Sequence, residues 1–255
     1  MNQDFDLSSG LRPALQLWTV RELVERDMAG TLESVAGIGY TAVEFAGFGD
    51  AEPAVIRAAL RASGLQAISA HMPYDDLCAS LHDVIHIHTL QALGCAQAVV
   101  PAFARHLYQT ADDAKRLAAS LNAIAAGLRA EGIRFAYHNE ADDFSPLGET
   151  TLWRTLVDHT DPALVELQLD VFTAVLMHQD VLAMLREQAA RITSLHVCDK
   201  RGEHYMPIGQ GELDWPAIIA AARDTACRWL IVEHDAPPDP LVDAKASLDA
   251  LSKLL

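Results

Sequence analysis

The sequence predicts an α/β protein, a single (β/α)8 TIM barrel spanning residues 1–255, and three observations carry that reading. Short apolar, β-branched runs alternate with longer helical patterns along the whole chain. The beat is even, with eight strand–helix units in 255 residues, about 32 residues each, as barrels of this class require. No linker interrupts it. Repeated βα units imply parallel strands with right-handed crossovers, and eight of them close a barrel more readily than they build an open, doubly wound sheet.

The elements follow in order. Ala14-Leu15-Gln16-Leu17-Trp18 reads as the first strand and 22–37 as its helix. The second strand covers 41–45, with a helix near 53–62. The third covers 65–70, with a helix near 75–92, and the fourth 96–100, with a helix near 110–130. The fifth (133–137), sixth (164–169) and seventh (192–197) strands alternate with helices near 149–159 and 174–189. Asp214 caps a helix near 215–226, with Pro216 in the tolerant first turn. The eighth strand covers 229–233, and 241–254 closes the chain. Gly64, Gly94 and Gly132 stand where a helix ends, the position at which glycine relieves a left-handed turn.

Composition limits the function. The formal charge is −16, and such a surface repels phosphate backbones, which argues against nucleic-acid partners. No apolar run reaches the ~18 residues of a membrane span. The acidic start, Met1-Asn2-Gln3-Asp4, lacks a signal-peptide pattern, and the four cysteines form no CxxC pair; both suit a reduced, cytoplasmic setting.

Chemistry in such barrels occurs at the carboxyl ends of the strands. Six of those ends carry ionisable residues: Glu44, His71, His138 (followed by Asn139 and Glu140), Asp170, His196 (followed by Asp199 and Lys200) and Glu233. Ionisable groups beside apolar strands are costly unless paired or metal-bound. Imidazoles with carboxylates make a nitrogen–oxygen site for one divalent ion, with Mn²⁺, Mg²⁺, Co²⁺ and Zn²⁺ all admissible. The connection at 198–213, containing Pro207-Ile208-Gly209-Gln210-Gly211, has the length of a functional lid.

Other signals carry less. His82-Asp83-Val84-Ile85-His86 resembles HExxH, but Leu77, Leu81, Val84/Ile85, His88 and Ala92 mark a buried stripe that leaves both histidines facing solvent. Gly47-Phe48-Gly49 lacks the third glycine of a dinucleotide loop.

The matching stretches Leu15-Gln16-Leu17-Trp18-Thr19-Val20-Arg21, Gly39-Tyr40-Thr41-Ala42-Val43-Glu44-Phe45, Tyr137-His138-Asn139, Leu167-Gln168-Leu169-Asp170, Leu195-His196-Val197-Cys198-Asp199-Lys200 and Pro207-Ile208-Gly209-Gln210-Gly211 extend over nearly the full chain. In these the sequence resembles the xylose isomerase-like TIM-barrel superfamily, specifically its sugar phosphate isomerase/epimerase group. The resemblance implies a metal-dependent isomerase or epimerase acting on a small sugar or keto-sugar through an enediolate. It implies His138, Asp170, His196 and Glu233 as metal ligands, Glu233, Glu140 and His71 as acid–base groups, and Glu44, Trp18, Lys200 and Asn139 as substrate contacts. A homo-oligomer is compatible with it. Many relatives carry Glu where His138 stands, and a subgroup reads Tyr-His-Asn-His where this chain has Glu140. Glu140 is therefore a second contender for the strand-five ligand. The same enolate chemistry admits elimination from a 3-keto-glycoside or inosose. The superfamily's apurinic-site endonucleases are a remote reading, opposed by the acidic charge.

Overall fold

The computed structural model describes residues 10–49, 51–80 and 85–255. Eight parallel strands close a barrel: β1 (Arg12–Gln16), β2 (Ala42–Phe45), β3 (Gln66–His71), β4 (Gln97–Val100), β5 (Arg134–His138), β6 (Val165–Asp170), β7 (Ile192–Val197) and β8 (Trp229–Val232). β1 pairs with both β2 and β8, which completes the circle.

Helices wrap the outside, and most begin on a side-chain cap that the sequence supplies. They are α1 (Arg21–Arg26), α2 (Met28–Gly37), α3 (Pro53–Ser63), α4 (Tyr74–Ser80), α5 (Ile85–Leu93), α6 (Ala111–Ala130), α7 (Leu152–His159), α8 (Val171–Leu176), α9 (Val181–Glu187), α10 (Trp215–Arg223) and α11 (Pro240–Leu254). Asp27, Thr110, Thr151, Asp170, Asp180, Asp214 and Asp239 each accept an amide hydrogen bond from the first turn. Gly64, Gly94 and Gly132 have φ of 72°, 70° and 76°, the left-handed termini expected of them.

Three expected helices are broken. The stretch 22–37 divides at Asp27, which caps α2. The stretch 174–189 becomes α8 and α9, and 75–92 becomes α4 and α5. In α5 the buried residues are Ile87, Leu90 and Leu93, whereas His88 is exposed and Ala92 half-buried, so the expected stripe was out of phase. His82 and the side chain of His86 lie outside the described residues.

The strands alternate in what they bury. Outward residues such as Leu15, Val43, Leu167, Leu195 and Leu230 join the main core beneath the helices. Ala14, Ala42, Ile68, Trp229 and Ile231 form a separate small cluster. Two residues further along, the same faces turn polar, at Gln16, Glu44 and Glu233. The cluster therefore fills the barrel below the site.

The 198–213 connection is not a free lid. Asp199–Arg201 and His204–Met206 form an antiparallel hairpin. The buried Asp199 carboxylate accepts amide hydrogen bonds from Lys200, Gly209, Gly211, Glu212 and Leu213 at 2.8–3.1 Å. The close backbone approach that Gly211 permits is to this carboxylate and to the Lys200 carbonyl, both of which an added Cβ would strike. Gly211→Ala is accordingly expected to destabilise the fold by about 2–4 kcal/mol, combining overpacking with lost hydrogen bonds. A lowered urea midpoint at unchanged slope checks this.

Candidate metal centre and active site

The site grows from strand register. His138 sits opposite Gln168 across β5 and β6, and Asp170 opposite His196 across β6 and β7. His196 in turn pairs with Ile231, two residues before Glu233. Parallel pairing thus brings four strand ends together. One donor atom each from His138, Asp170, His196 and Glu233 lies within 4.8 Å of the others. Among the described residues, His71, His138 and His196 form a second such group, and no cysteine joins either.

The electrostatics of this cluster call for a cation. Burial, then the neighbouring His196 and His71, hold the His138 imidazole well below its usual pKa. It is neutral, and its Nδ1 is a buried atom without a hydrogen-bond partner. Burial raises the Asp170 carboxyl to about 6, against the pull of His196 and with the help of Glu233. Burial also pushes Glu140 up to about 8, reinforced by the charges of Asp170 and Glu233. Excess negative charge beside a neutral imidazole with a free nitrogen is the donor set a divalent ion satisfies. The residues therefore fit a metal, and His138, Asp170, His196 and Glu233 would hold it.

Beneath them lies a buried polar layer centred on Glu44. This carboxylate is 0% exposed. It accepts from Gln16 Nε2 (2.8 Å), Gln168 Nε2 (2.7 Å), His196 Nε2 (2.6 Å) and the Ser69 hydroxyl, and it faces His71 Nε2 at 3.2 Å. Despite its burial, His71 and His196 keep it ionised, well below the usual carboxylate range. His196 is held between two carboxylates, with Nδ1 2.7 Å from Glu233 Oε2. Burial opposes its charge, but Glu233 and Glu44 overcome that and raise its pKa well above the ordinary value. A carboxylate behind a ligating imidazole fixes the ring's orientation and tautomer.

Glu44, expected to touch substrate, is therefore placed below the pocket and not in its wall. Every group around it donates, so Glu44→Gln would turn an amide N–H₂ onto donors and leave them unmatched. A destabilisation of about 2–4 kcal/mol is expected, measured by denaturant unfolding.

Above the cluster opens a cavity of about 340 Å³. Trp18, His71, His138, Glu140, Asp170 and Glu233 line it. Asn139 and Lys200 do not. Asn139 is fully buried, and its Oδ1 accepts from the Asp170 backbone amide at 2.9 Å, so it positions the neighbouring strand end. Lys200 turns to Glu212, 3.7 Å away. Glu140 is set by Asp143, whose Oδ2 accepts from the Glu140 amide (3.0 Å) and from the Tyr137 hydroxyl (2.6 Å).

Tyr205 and Asp235 are two of the wall residues that sequence reasoning missed. Tyr205, from the hairpin, stacks on Phe172 with ring centroids 3.7 Å apart and donates to Asp235 at 2.7 Å. Asp235 lines the same cavity. A hairpin hidden in a stretch read as loop gave no signal for Tyr205, whereas the polar run Glu233-His234-Asp235 after β8 offered one for Asp235.

The model of the xylose isomerase-like TIM-barrel family matches residues 32–254. The chain belongs to that family. No curated protein matches it. Among solved structures, a sugar phosphate isomerase/epimerase from Parabacteroides distasonis is 22% identical, with a TM-score of 0.82 over 96% of this chain and 94% of its own. An L-ribulose 3-epimerase is 18% identical, with a TM-score of 0.72 over 96% of this chain and 94% of its own. An AP endonuclease, family 2, from Brucella melitensis is 17% identical, with a TM-score of 0.74 over 91% of this chain and 96% of its own. At these identities the likeness is one of fold. Family membership accounts for the barrel; the side chains at its rim carry the functional argument.

Proposed function

We propose that the chain is a divalent-metal-dependent isomerase or epimerase of a sugar or keto-sugar. The observation that carries this reading is the convergence of His138, Asp170, His196 and Glu233 within 4.8 Å on the floor of a pocket of about 340 Å³. The names borne by structural neighbours, a sugar phosphate isomerase/epimerase and an L-ribulose 3-epimerase, agree with it.

A divalent ion bound there supplies Lewis acidity, polarising a carbonyl oxygen and making the adjacent C–H more acidic. The protein supplies the rest. Glu140 lies outside the four-atom group and opens into the pocket, so its carboxylate, ionised once a bound cation offsets the burial and the charges of Asp170 and Glu233 that raise its pKa, would be the group to take a proton from carbon. Glu233, at the other side of the sequence but the same pocket, is the partner that returns one. His71 Nε2 donates to Gln168 Oε1 at 2.8 Å. That bond orients the imidazole at the pocket wall, where it meets a substrate hydroxyl. Trp18 and Tyr205 give the sugar apolar faces to lie on.

A second reading, elimination of a β-substituent from a 3-keto-glycoside, is favoured by the second cavity, described next, that shares Trp18 and Ala46 with this pocket. Incubation with keto-sugars in D₂O tests both. Deuterium incorporation without mass loss, abolished by EDTA and restored by Mn²⁺, is expected of the isomerase. Release of water or an aglycone supports elimination. Full activity after complete metal removal would refute the metal-dependent mechanism.

A further inference from the structure

A second cavity, of about 480 Å³, lies beside the catalytic pocket and shares two wall residues with it, Trp18 and Ala46. The rest of its lining is largely apolar, with Leu17, Val24, Met28 and Phe48, and two charged residues, Arg21 and Glu25, also line it. Trp18 is 43% exposed, the one aromatic among the exposed large hydrophobic residues described. Solvent exposure of a tryptophan between two cavities asks for a ligand that covers it.

The groove is built. Arg21 donates to the Trp18 carbonyl (2.9 Å) and to the Asp235 carbonyl (2.8 Å), and its guanidinium lies 4.6 Å from the Trp18 ring centre. The indole is thereby held where both cavities meet it. On the far side, Gly47 (φ 96°) and Gly49 (φ 55°) adopt left-handed backbone that puts Phe48 against Phe45, ring centroids 5.3 Å apart. The Gly47-Phe48-Gly49 segment, which makes no dinucleotide loop, makes this wall instead.

We propose that the groove receives an apolar, aromatic substituent carried by the sugar, so that the natural substrate is a substituted sugar rather than a free monosaccharide. The proposal rests on the reading of the catalytic pocket as a sugar site. The two cavities share Trp18 and Ala46 in their walls, and the groove's largely apolar lining sets the chemistry of what fills it. For a ring-bound substituent at the anomeric carbon, the carbonyl must lie elsewhere on the ring, and a 3-keto-glycoside is one compound that meets this condition.

The test is calorimetric titration of the Mn²⁺-loaded protein with paired methyl and phenyl glycosides of 3-keto-glucose and 3-keto-galactose. The phenyl glycoside of a pair is expected to bind about tenfold or more tightly than the methyl one, as burial of a phenyl ring implies. In Phe48→Ala and in Met28→Glu the advantage is expected to fall to about twofold or less, with the methyl glycoside bound as before. Retained methyl binding shows that each variant is folded. Equal affinity of methyl and phenyl forms in the unaltered protein overturns the groove proposal and leaves the sugar site standing. A phenyl preference that both variants keep overturns it as well. Binding of neither form in either pair overturns the groove proposal, and the sugar-site reading then stands or falls on the D₂O assay with keto-sugars.

Discussion

Asp170→Asn is expected to lower Mn²⁺ affinity by at least about 100-fold, beyond the loss usual for residues that only support a ligand, and to abolish turnover. The fold should persist. Asp170 Oδ1 caps α8 by accepting from the Thr173 amide at 2.6 Å, and asparagine caps a helix as well as aspartate does. The loss would thus be one of charge at the cluster. His196→Ala makes the informative contrast, because it removes a ligand and also strips Glu44 of its 2.6 Å partner. Removing one partner of a buried ion pair costs about 3–5 kcal/mol, tempered here by the Gln16, Ser69, His71 and Gln168 contacts that Glu44 keeps, so this variant should lose both cation binding and stability. Titration calorimetry and thermal unfolding of the two variants separate the effects. Equal metal affinity in Asp170→Asn and the unaltered protein would remove Asp170 from the centre.

The second large effect is on pH dependence. Protein stripped of cations by EDTA is expected to lose thermal stability as pH rises from about 5 to 8. Asp170, Asp143 and Glu140 have folded-state pKa values raised to about 6, 6 and 8. The folded protein therefore holds protons that the unfolded chain has released, and stability falls with pH across this window. His196, whose pKa is raised, adds to the fall, since its pairing with Glu44 and Glu233 is lost once it deprotonates. Glu44 acts oppositely, but its depressed pKa places that contribution below the window; His138 and His234, whose pKa values burial lowers, also oppose the fall, but only up to about 6.5, where the unfolded imidazoles have released their protons. Asp170 alone accounts for roughly 1.5 kcal/mol of the fall across this window, about half of what its raised pKa contributes in all. A chain of this size then shows a fall in Tm of about 5–10 °C. Saturating Mn²⁺ should flatten the profile, because the cation takes the place of the protons. A rising or flat profile in EDTA would contradict the charge balance described for the cluster.

The sequence makes the barrel legible because its period is repeated eight times and its helix caps are written in Asp, Thr, Gly and Pro. It also exposes His138, Asp170, His196 and Glu233, since an ionisable residue at the end of an apolar strand has few explanations other than a site. The same rule misplaces Glu44. A register shift between Val43 and Glu44, together with donors from four other strands, draws it under the pocket, and no local pattern records those distant partners. The glutamines Gln16 and Gln168, each alone between leucines, were the visible trace of that buried layer. Asn139 and Lys200 have the right position in the chain, but one bonds a strand backbone and the other an acidic neighbour. Tyr205 reaches the pocket only because Asp199 gathers five amides around itself, a tertiary arrangement that spacing does not reveal. In α5 the hydrophobic phase restarts after α4, so a stripe extrapolated from Leu77 lands on the exposed His88.

The most direct measurement is an anomalous difference map from crystals grown with Mn²⁺ and recorded at the manganese edge. One peak is expected, about 2.0–2.3 Å from donor atoms of His138, Asp170, His196 and Glu233, with Glu44 behind His196 and outside the coordination sphere. A map with no peak among these four side chains, or with manganese held elsewhere, would contradict the account.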